Sequence, residues 1–335
     1  MGHQACSYRS VGRRSICEVD GQAWLEAAHT LTGGGSGYTY FVDPSHPDRS
    51  LQNDGRNMDY PLPTVASALA KCRAYRNDQV LVGMNAYWTY ANPASARYVP
   101  ISENVIVTVP GVRILGLSPT SSIGVPWTAS DDDQTLITVR AMDVTIEGFA
   151  FWNGGNTGCI AVAAAWDAPP YGENCTVRDC YFYSVAYGIT LDWTYNCIIE
   201  NCRFQSITTQ AIHNPSVYGE PDYLTIRDCD FVACMGGINL PDCHYEVIEH
   251  CTFSDCTAAI VVTAGDDNVI RGCAINGAPG GTNNFINLTG GATNLVADCQ
   301  FSCSKAQYDT TCSDGTSGSW VNNWCSDGSP VAAPT

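Results

Sequence analysis

Acidic residues that could cleave a polysaccharide follow the short apolar segments GITL, GINL and AIVV. Hydrolysis of a glycosidic bond needs two carboxyl groups, about 5–5.5 Å apart when the configuration is retained and about 6.5–9.5 Å apart when it is inverted. The candidate catalytic residues are Asp192, Asp242, Asp266 and Asp267. We favour a simpler interpretation of the last two, as a turn before a strand that begins at Asn268.

Aromatic and imidazole side chains stand close to these acids in the sequence. Flat aromatic faces pack on sugar rings, so such residues could line a groove for a glycan. A lone histidine at a surface position is more often a polar residue than a base. We therefore favour glycan contact over catalysis. The candidate glycan-binding residues are Trp193, Tyr187, Tyr195, His213, Tyr218, Tyr223 and His244.

The sequence repeats, and the repeat must position these residues. Segments such as TVRDCYF at 176–182 and TIRDCDF at 225–231 align without gaps, and each precedes a second apolar segment such as GITL at 188–191. A unit of about 22 residues with short β-type segments cannot bury its apolar side alone, and stacked units of this kind wind into a β-helix. We predict an all-β chain, a right-handed single-stranded parallel β-helix with a short N-terminal capping helix. Its coils are clearest over about residues 140–302.

One cysteine recurs at the same position in six repeats. Equivalent inward positions make a column, whereas a disulfide framework needs pairs, and free cysteine is a small and often buried hydrophobe. We therefore predict reduced thiols that fill the core beside a turn. The exceptions to test are Cys175 with Cys197 and Cys234 with Cys256, because their stacking distance permits a disulfide. The recurring cysteines are Cys180, Cys202, Cys229, Cys251, Cys273 and Cys299.

The residue before the turn alternates in charge over six successive repeats. Strands lie about 4.8 Å apart, so each side chain would have opposite charges on the coils above and below. Such cross-strand pairs contribute roughly 0.2–1 kcal/mol each. The residue that follows is Gly, Asp, Asn or His, types suited to a left-handed turn. We predict an outer charge ladder that fixes the register, formed by Glu147, Arg178, Glu200, Arg227, Glu249 and Arg271.

The composition limits the partners of the chain. Its formal net charge is −17, with lysine only at Lys71 and Lys305, so nucleic acid and anionic membrane surfaces are not expected partners. No apolar run is long enough to span a membrane. No cofactor and no resident metal are expected, because no C-x-x-C motif occurs. The acidic run at 131–133 could hold calcium, but a charged run in a loop is usually only solvated.

Segments before the repeats add a family resemblance that covers about residues 37–302. In order, YFVD (40–43), NDGR (53–56), PLPTVASAL (61–69), NDQVLVGM (77–84) and VRILGL (112–117) resemble the start of the pectate-lyase-like β-helix superfamily. The chain is most similar in character to β-helix proteins that tailed bacteriophages carry on the virion as spikes, fibres or head decorations. The resemblance implies a trimeric virion appendage, located on the particle and extracellular after release, that could adhere to a host-surface polysaccharide.

Enzymes of this superfamily give an alternative function, that of a tailspike depolymerase acting as a hydrolase or lyase. Of the motifs N-T-D, D-D, G-H-G and R-I-K of polygalacturonases, only GDD at 265–267 is present. Pectate lyases need calcium-binding carboxylates and a basic arginine, but Arg178, Arg227 and Arg271 already belong to the charge ladder. We therefore expect a structural protein that is not an enzyme. A bacterial surface carbohydrate-binding β-helix remains a third hypothesis.

The first 36 residues run into the glycine hinge GGGSG at 33–37, and three arginines precede the first acid, Glu18. Terminal segments are commonly frayed, and that interpretation stands beside a docking arm for capsid, neck or tail proteins. The segment has no apolar signal-peptide core, so synthesis in a host cytoplasm is expected. The candidate docking residues are Arg9, Arg13, Arg14, Cys6 and Cys17.

The chain is expected to divide into four regions. A short amphipathic helix from Thr64 to Tyr75, led by Pro63, should cover the open end of the first coil. The regions are an arm at 1–36, an N-terminal cap at 37–112, the coils at 113–302, and a C-terminal cap and tail at 303–335.

Overall fold

Three long parallel sheets, to which successive coils of the chain contribute one strand each, form the protein. The structure is a computed structural model. It describes residues 8–11, 14–17, 37–83, 100–117, 124–128, 135–152, 158–163, 172–215, 219, 221–277, 284–288, 293–304, 308 and 318–331.

Each sheet collects equivalent segments of the repeats, and the chain passes from sheet I to sheet II to sheet III before it returns to sheet I. Sheet I contains Thr39–Val42, Gln79–Gly83, Arg113–Leu117, Thr145–Glu147, Thr176–Arg178, Ile198–Glu200, Thr225–Arg227, Val247–Glu249, Val269–Arg271, Leu295–Ala297 and Ser319–Val321. Sheet II contains Ile101–Ser102, Val125–Thr128, Phe149–Trp152, Tyr181–Tyr183, Arg203–Gln205, Asp230–Val232, Thr252–Cys256, Ala274–Gly277, Gln300–Phe301, Asn323–Cys325 and Pro330–Val331. Sheet III contains Val105–Val107, Ile137–Val139, Gly158–Ala163, Tyr187–Asp192, Gln210–His213, Gly236–Leu240, Ala258–Val262 and Asn284–Leu288.

The predicted parallel β-helix is confirmed. Neighbouring strands in the three sheets pair in parallel, apart from the last pair of sheet II, Asn323–Cys325 with Pro330–Val331. The sheets extend beyond residues 140–302 in both directions, because Thr39–Val42 and Ser319–Val321 lie at the two ends of sheet I. The boundaries of the four predicted regions remain a prediction.

Apolar side chains of equivalent positions stack inside the coils. Phe182, Phe204, Phe231 and Phe253 are fully buried, and successive rings in this column lie 4.6–4.9 Å apart with planes within 6° of parallel. That spacing equals the distance between neighbouring strands. The core is therefore a set of side-chain columns that run along the helix axis.

The charge ladder lies in one outer row of sheet I. Glu147 pairs with Arg178, which pairs with Glu200, which in turn pairs with Arg227. The Nη2 atoms of Arg178 and Arg227 each donate to an Oε2 atom of the preceding glutamate at 2.6 Å. Arg271 contacts Glu249 in the same way. The ladder residues thus form hydrogen-bonded ion pairs between coils.

The turn from sheet I to sheet II has a left-handed residue in every described coil from residue 148 onward. Only glycine, and to a lesser extent asparagine and aspartate, adopt this backbone conformation readily. That requirement explains the residue types in this column. The members with positive φ are Gly148, Asp179, Asn201, Asp228, His250, Gly272, Asp298 and Asn322.

The recurring cysteines lie immediately after these turns and are buried free thiols, as are Cys175, Cys197, Cys234 and Cys256. The thiol of Cys202 donates to the carbonyl oxygen of Glu200 at 3.4 Å. Burial raises the pKa values of the Cys202 and Cys159 thiols above their usual range. Because the reactive form is the thiolate, these thiols are poor nucleophiles.

The capping helix is shorter than predicted and spans Val65–Leu69. Thr64 begins it, since its Oγ1 accepts a hydrogen bond from the Ser67 N–H at 3.1 Å. The helix ends early because Asp78 holds the following segment in another conformation. The carboxylate of Asp78 accepts the N–H of Arg73 at 2.8 Å, and Tyr75 has a left-handed backbone. The prediction of a helix reaching Tyr75 was therefore wrong.

The N-terminal arm contains a two-stranded antiparallel hairpin, Tyr8–Val11 with Arg14–Cys17. The sequence between the strands begins with glycine, which is a typical choice for a tight hairpin. Of the candidate docking residues, Arg9, Arg14 and Cys17 belong to these strands, whereas Arg13 and Cys6 lie outside the described residues. The acidic run at 131–133 also lies outside them.

Candidate functional site

Polar side chains form a row on the outer face of sheet III. Thr190 pairs with His213, His213 with Asn239, and Asn239 with Val261, which pairs with Asn287. Inward positions between them are apolar, so the strands alternate as half-buried strands do. The repeat therefore places the predicted candidate His213 in a polar row that crosses neighbouring coils.

His213 is held as a neutral side chain on this face. Its ring stacks on Tyr187, with centroids 4.4 Å apart. The Nδ1 atom is buried and has no hydrogen-bond partner in the part of the chain that the structure describes. Burial lowers the pKa of His213 to about 4, so the imidazole is uncharged at neutral pH. Because Tyr187 covers one face of the imidazole, that face cannot also pack on a sugar ring.

Asp192 is the last residue of the strand Tyr187–Asp192 and lies beneath Gly219. Its Oδ1 atom is buried and makes no hydrogen bond with any described residue, and burial raises the pKa of the carboxyl group. The backbone of Gly219 lies against this oxygen. A Cβ atom added at Gly219 would stand only 2.3 Å from it. The amide of Asn214 donates to the carbonyl oxygen of Gly219 at 2.9 Å and holds the loop there. Asp192 is thus partly covered.

The corner that leads from sheet III back to sheet I contains a second left-handed column. Each member before the last donates its N–H to a carbonyl of the next coil, as Asn196 does to Asp222 and Tyr223 to His244. The last member, Asp267, donates its N–H to the Oγ1 of Thr293. Most members are Asn or Asp, which adopt this backbone with little strain. Tyrosine does not. The members are Asp143, Asn174, Asn196, Tyr223, Tyr245 and Asp267.

Tyr223 and Tyr245, here called the tyrosine pair, stack on successive coils. Their ring centroids are 4.9 Å apart and their planes are within 6° of parallel. The two side chains remain 51% and 48% exposed. A half-exposed pair of aromatic rings on a strained backbone contrasts with the polar residues that hold the same position in other coils. It is the most distinctive surface feature of this corner.

His244, beside the tyrosine pair, takes part in a chain of backbone contacts. The Oδ1 of Asp222 accepts the N–H of His244 at 3.2 Å. The Nδ1 of His244 accepts the N–H of Asp266 at 3.0 Å. The lone pair of Nδ1 is therefore already engaged in a hydrogen bond, and His244 is a poor general base at this atom.

The corner is strongly acidic. Its turn segments at 192–197, 214–224, 241–246 and 263–268 contain seven acids and no lysine or arginine: Asp192, Glu220, Asp222, Asp242, Glu246, Asp266 and Asp267. Asp266 and Asp267 follow the strand Ala258–Val262, one coil beyond Asp242. Asp192 is two coils from Asp242 and is the only acid in the eight described strands of sheet III.

The predicted site residues therefore divide between two places. Tyr187, Asp192 and His213 lie on the outer face of sheet III, whereas Trp193 and Tyr195 lie in the corner with Tyr223 and His244. Tyr218 lies outside the described residues. Sequence reasoning missed Tyr245. The signal was present, since DYLTIRDC and HYEVIEHC align with tyrosine at the same position. Because Tyr245 was not a candidate, the stacked pair was not predicted.

No metal or membrane site emerges from the described residues. Within these ranges, no three His, Cys, Asp or Glu side chains gather as ligands for a metal ion. Over the same residues, no helix is both long and apolar enough to cross a bilayer.

The chain is similar to several solved structures at very low sequence identity. XylC, solved with xylose, has a TM-score of 0.50 at 9% identity, over 86% of this chain and 67% of that chain. An alginate lyase from Paenibacillus sp. str. FPU-7 has a TM-score of 0.46 at 12% identity, over 78% and 95% of the two chains. Tailspike gp49 of Acinetobacter baumannii bacteriophage Fri1, a capsular polysaccharide depolymerase, has a TM-score of 0.38 at 12% identity, over 79% of this chain and 56% of that chain.

At these identities the likeness concerns the fold alone. No curated protein sequence matches the chain. The family model described as "Right handed beta helix region" matches residues 158–329. That match covers more than half of the 335 residues and supplies the right-handed sense of the coils. The protein belongs to the right-handed β-helix family.

Proposed function

We propose that this protein is a structural appendage of a virion, a spike, fibre or head decoration, that contacts a host-surface glycan through the corner between sheets III and I. The observation that carries the glycan contact is the tyrosine pair. Two aromatic rings that are half exposed and rigidly stacked offer apolar area at low entropic cost, which suits contact with sugar rings.

The backbone of the tyrosine pair supports this choice. A left-handed tyrosine costs roughly 1–2 kcal/mol more than a residue suited to that conformation. Asparagine at Asn196 and aspartate at Asp267 fill the same column position without this cost. Strain that is retained at exposed positions points to a role for the side chains outside folding.

The virion location is supported by the sequence resemblance and by the character of the N-terminal arm. The arm combines a short hairpin with a glycine-rich hinge. We propose that it docks on capsid, neck or tail proteins and that the coils assemble as a homotrimer. Deletion of residues 2–36 should abolish association with particles while the coils stay folded by circular dichroism. Full association of the truncated chain would refute docking through the arm.

A polysaccharide depolymerase is the second candidate function. Asp242 and Asp266 come from neighbouring coils beside the tyrosine pair, and carboxylates from neighbouring coils are what a hydrolase of this fold needs. Asp192 has a carboxyl group with a raised pKa, as a general acid requires. Against this candidate, Asp192 is partly covered by Gly219, and the Nδ1 atom of His244 already accepts the backbone N–H of Asp266.

Two measurements distinguish the adhesive function from the enzymatic one: whether the protein retains a polysaccharide, and whether the polysaccharide becomes shorter. The protein is incubated with a panel of bacterial capsular polysaccharides and lipopolysaccharides, and binding, reducing ends and polymer size are followed together. We expect retention without new reducing ends and without a fall in polymer size. Turnover that disappears in Asp192→Asn, Asp242→Asn or Asp266→Asn would replace the adhesive function by the enzymatic one.

A further inference from the structure

The position that follows the tyrosine pair in the left-handed column is occupied by an aspartate, Asp267. Tyr245 donates its N–H to the carbonyl oxygen of Asp266 at 3.2 Å, which places Asp267 in the next position of the left-handed column. Asp267 is exposed and has a φ of 61°. Successive coils are about 4.8 Å apart. A ligand lying on Tyr245 and extending along the axis therefore meets the Asp267 carboxylate within one coil.

No lysine or arginine offsets this charge in the turn segments of the corner around the tyrosine pair. Its four turn segments contain only acids among their charged residues, and the whole chain has a formal charge of −17. A surface with charges of one sign repels ligands of that sign and attracts the opposite one. Uronic acid polymers, which carry a carboxylate on every sugar, would be repelled here.

Aromatic rings beside carboxylates are the usual chemistry for recognition of an ammonium group. A cation is attracted to the face of a tyrosine by the quadrupole of the ring, and the carboxylate adds an ion pair. We propose that the corner selects a polysaccharide that carries free amino groups. This inference rests on the proposed glycan contact and specifies the class of glycan.

Three oligosaccharides with the same β-1,4-linked backbone test the preference. They are pentamers of glucosamine, N-acetylglucosamine and glucuronic acid, which are positive, neutral and negative at slightly acid pH. Affinities for the full-length protein are measured by isothermal titration calorimetry at low salt and in about 1 M NaCl, where the Debye length is about 3 Å. We expect the glucosamine pentamer to bind about five- to tenfold more tightly than the neutral pentamer, and this ratio to approach one at high salt.

A matched pair of variants assigns the effect to the corner. Asp267→Asn removes one negative charge beside Tyr245 and keeps a residue suited to the left-handed backbone. Asp255→Asn makes the same change at another exposed left-handed position, on sheet II. We expect Asp267→Asn to weaken glucosamine binding about threefold and Asp255→Asn to leave it unchanged.

The outcomes separate this inference from the function on which it rests. Equal affinity for the three pentamers, or the tightest binding for glucuronic acid, would overturn the amine preference while glycan contact stands. The amine preference would also be overturned if none of the three pentamers binds while the protein retains a bacterial polysaccharide. Failure of the whole polysaccharide panel to bind would remove the proposed function itself.

Discussion

The carboxylate of Glu246 accepts the N–H of Leu224 on the preceding coil at 2.6 Å, through its Oε2 atom. Asn268 has the equivalent role on the following coil, where its Oδ1 accepts the N–H of Glu246 at 2.9 Å. Asn268 also donates its amide group to the carbonyl oxygen of Cys243 at 3.1 Å. The side chain of Glu246 has no amide group to donate to a carbonyl. Its Oε1 atom is buried without a hydrogen-bond partner among the described residues. The glutamate is therefore an imperfect member of an asparagine ladder.

Replacement of Glu246 by glutamine should stabilise the protein at neutral pH. Burial raises the pKa of this carboxyl group well above 4.5, so the folded state holds the proton more tightly than the unfolded state. The stabilisation by the protonated form is complete below the unfolded pKa and declines as the pH rises through the folded one. Glu246→Gln should raise the free energy of unfolding by about 1–2 kcal/mol at pH 7 and have little effect near pH 4.

Urea unfolding at several pH values checks this expectation. Asp255→Asn, at an exposed position, serves as the control and should show no comparable gain. A lower urea midpoint for Glu246→Gln at pH 7 would show that Glu246 is stabilised as the anion. A gain that does not vary with pH would show that protonation of Glu246 is not its cause.

The charge ladder should stabilise the coils unequally along its length. Arg178 is 24% exposed and its partner Glu147 13% exposed, whereas Arg271 is 54% exposed. Solvent screens the more exposed pair more strongly. Arg178→Gln should lower the free energy of unfolding by about 1 kcal/mol and Arg271→Gln by about 0.3 kcal/mol, as measured by urea unfolding at low salt. Equal losses, or losses that persist unchanged in about 1 M NaCl, would argue that packing of the arginine stems dominates.

The column of cysteines should remain reduced in the folded protein. The thiols are buried, which keeps them from oxidants in solution, and at Cys202 burial also raises the pKa and suppresses the thiolate needed for oxidation. After exposure to oxidised glutathione, alkylation in denaturant without reductant should modify every described cysteine, while alkylation of the native protein should leave Cys180 to Cys299 largely unmodified. Loss of label at Cys175 with Cys197, or at Cys234 with Cys256, would instead identify a disulfide between coils.

The repeat made much of the fold predictable. Cys180 and Cys202 lie in segments of the same pattern, TVRDCYF and IIENCRF, so the alignment of such segments sets the strand pairs. Glu147 and Arg178 then fall opposite each other. The end of the helix was not predictable in this way, because Asp78 stops it through contacts with backbone groups from other segments. The inward position of Asn268 was also missed, since the sequence pattern assigned it to the start of a strand.

The candidate site was only partly predictable, because its properties depend on contacts between coils. Sequence spacing brought Asp192 and His213 to neighbouring strands. It could not show that Gly219 covers the acid or that Tyr187 covers the imidazole. Tyr223 was chosen for its ring, but its stacking on Tyr245 and its strained backbone follow from the stacking of two turns.

The most direct test of glycan contact at this corner is the affinity of a tyrosine-pair variant for a polysaccharide that the native protein retains. Asparagine suits the left-handed backbone, so Tyr223→Asn with Tyr245→Asn removes both rings and should preserve or raise the urea midpoint. Tyr183→Ser, which removes a tyrosine that is 42% exposed on sheet II, is the control. We predict that the double variant binds at least about tenfold more weakly, a loss of about 1.4 kcal/mol, while the control binds normally. Unchanged affinity in a folded double variant would contradict glycan contact through the tyrosine pair.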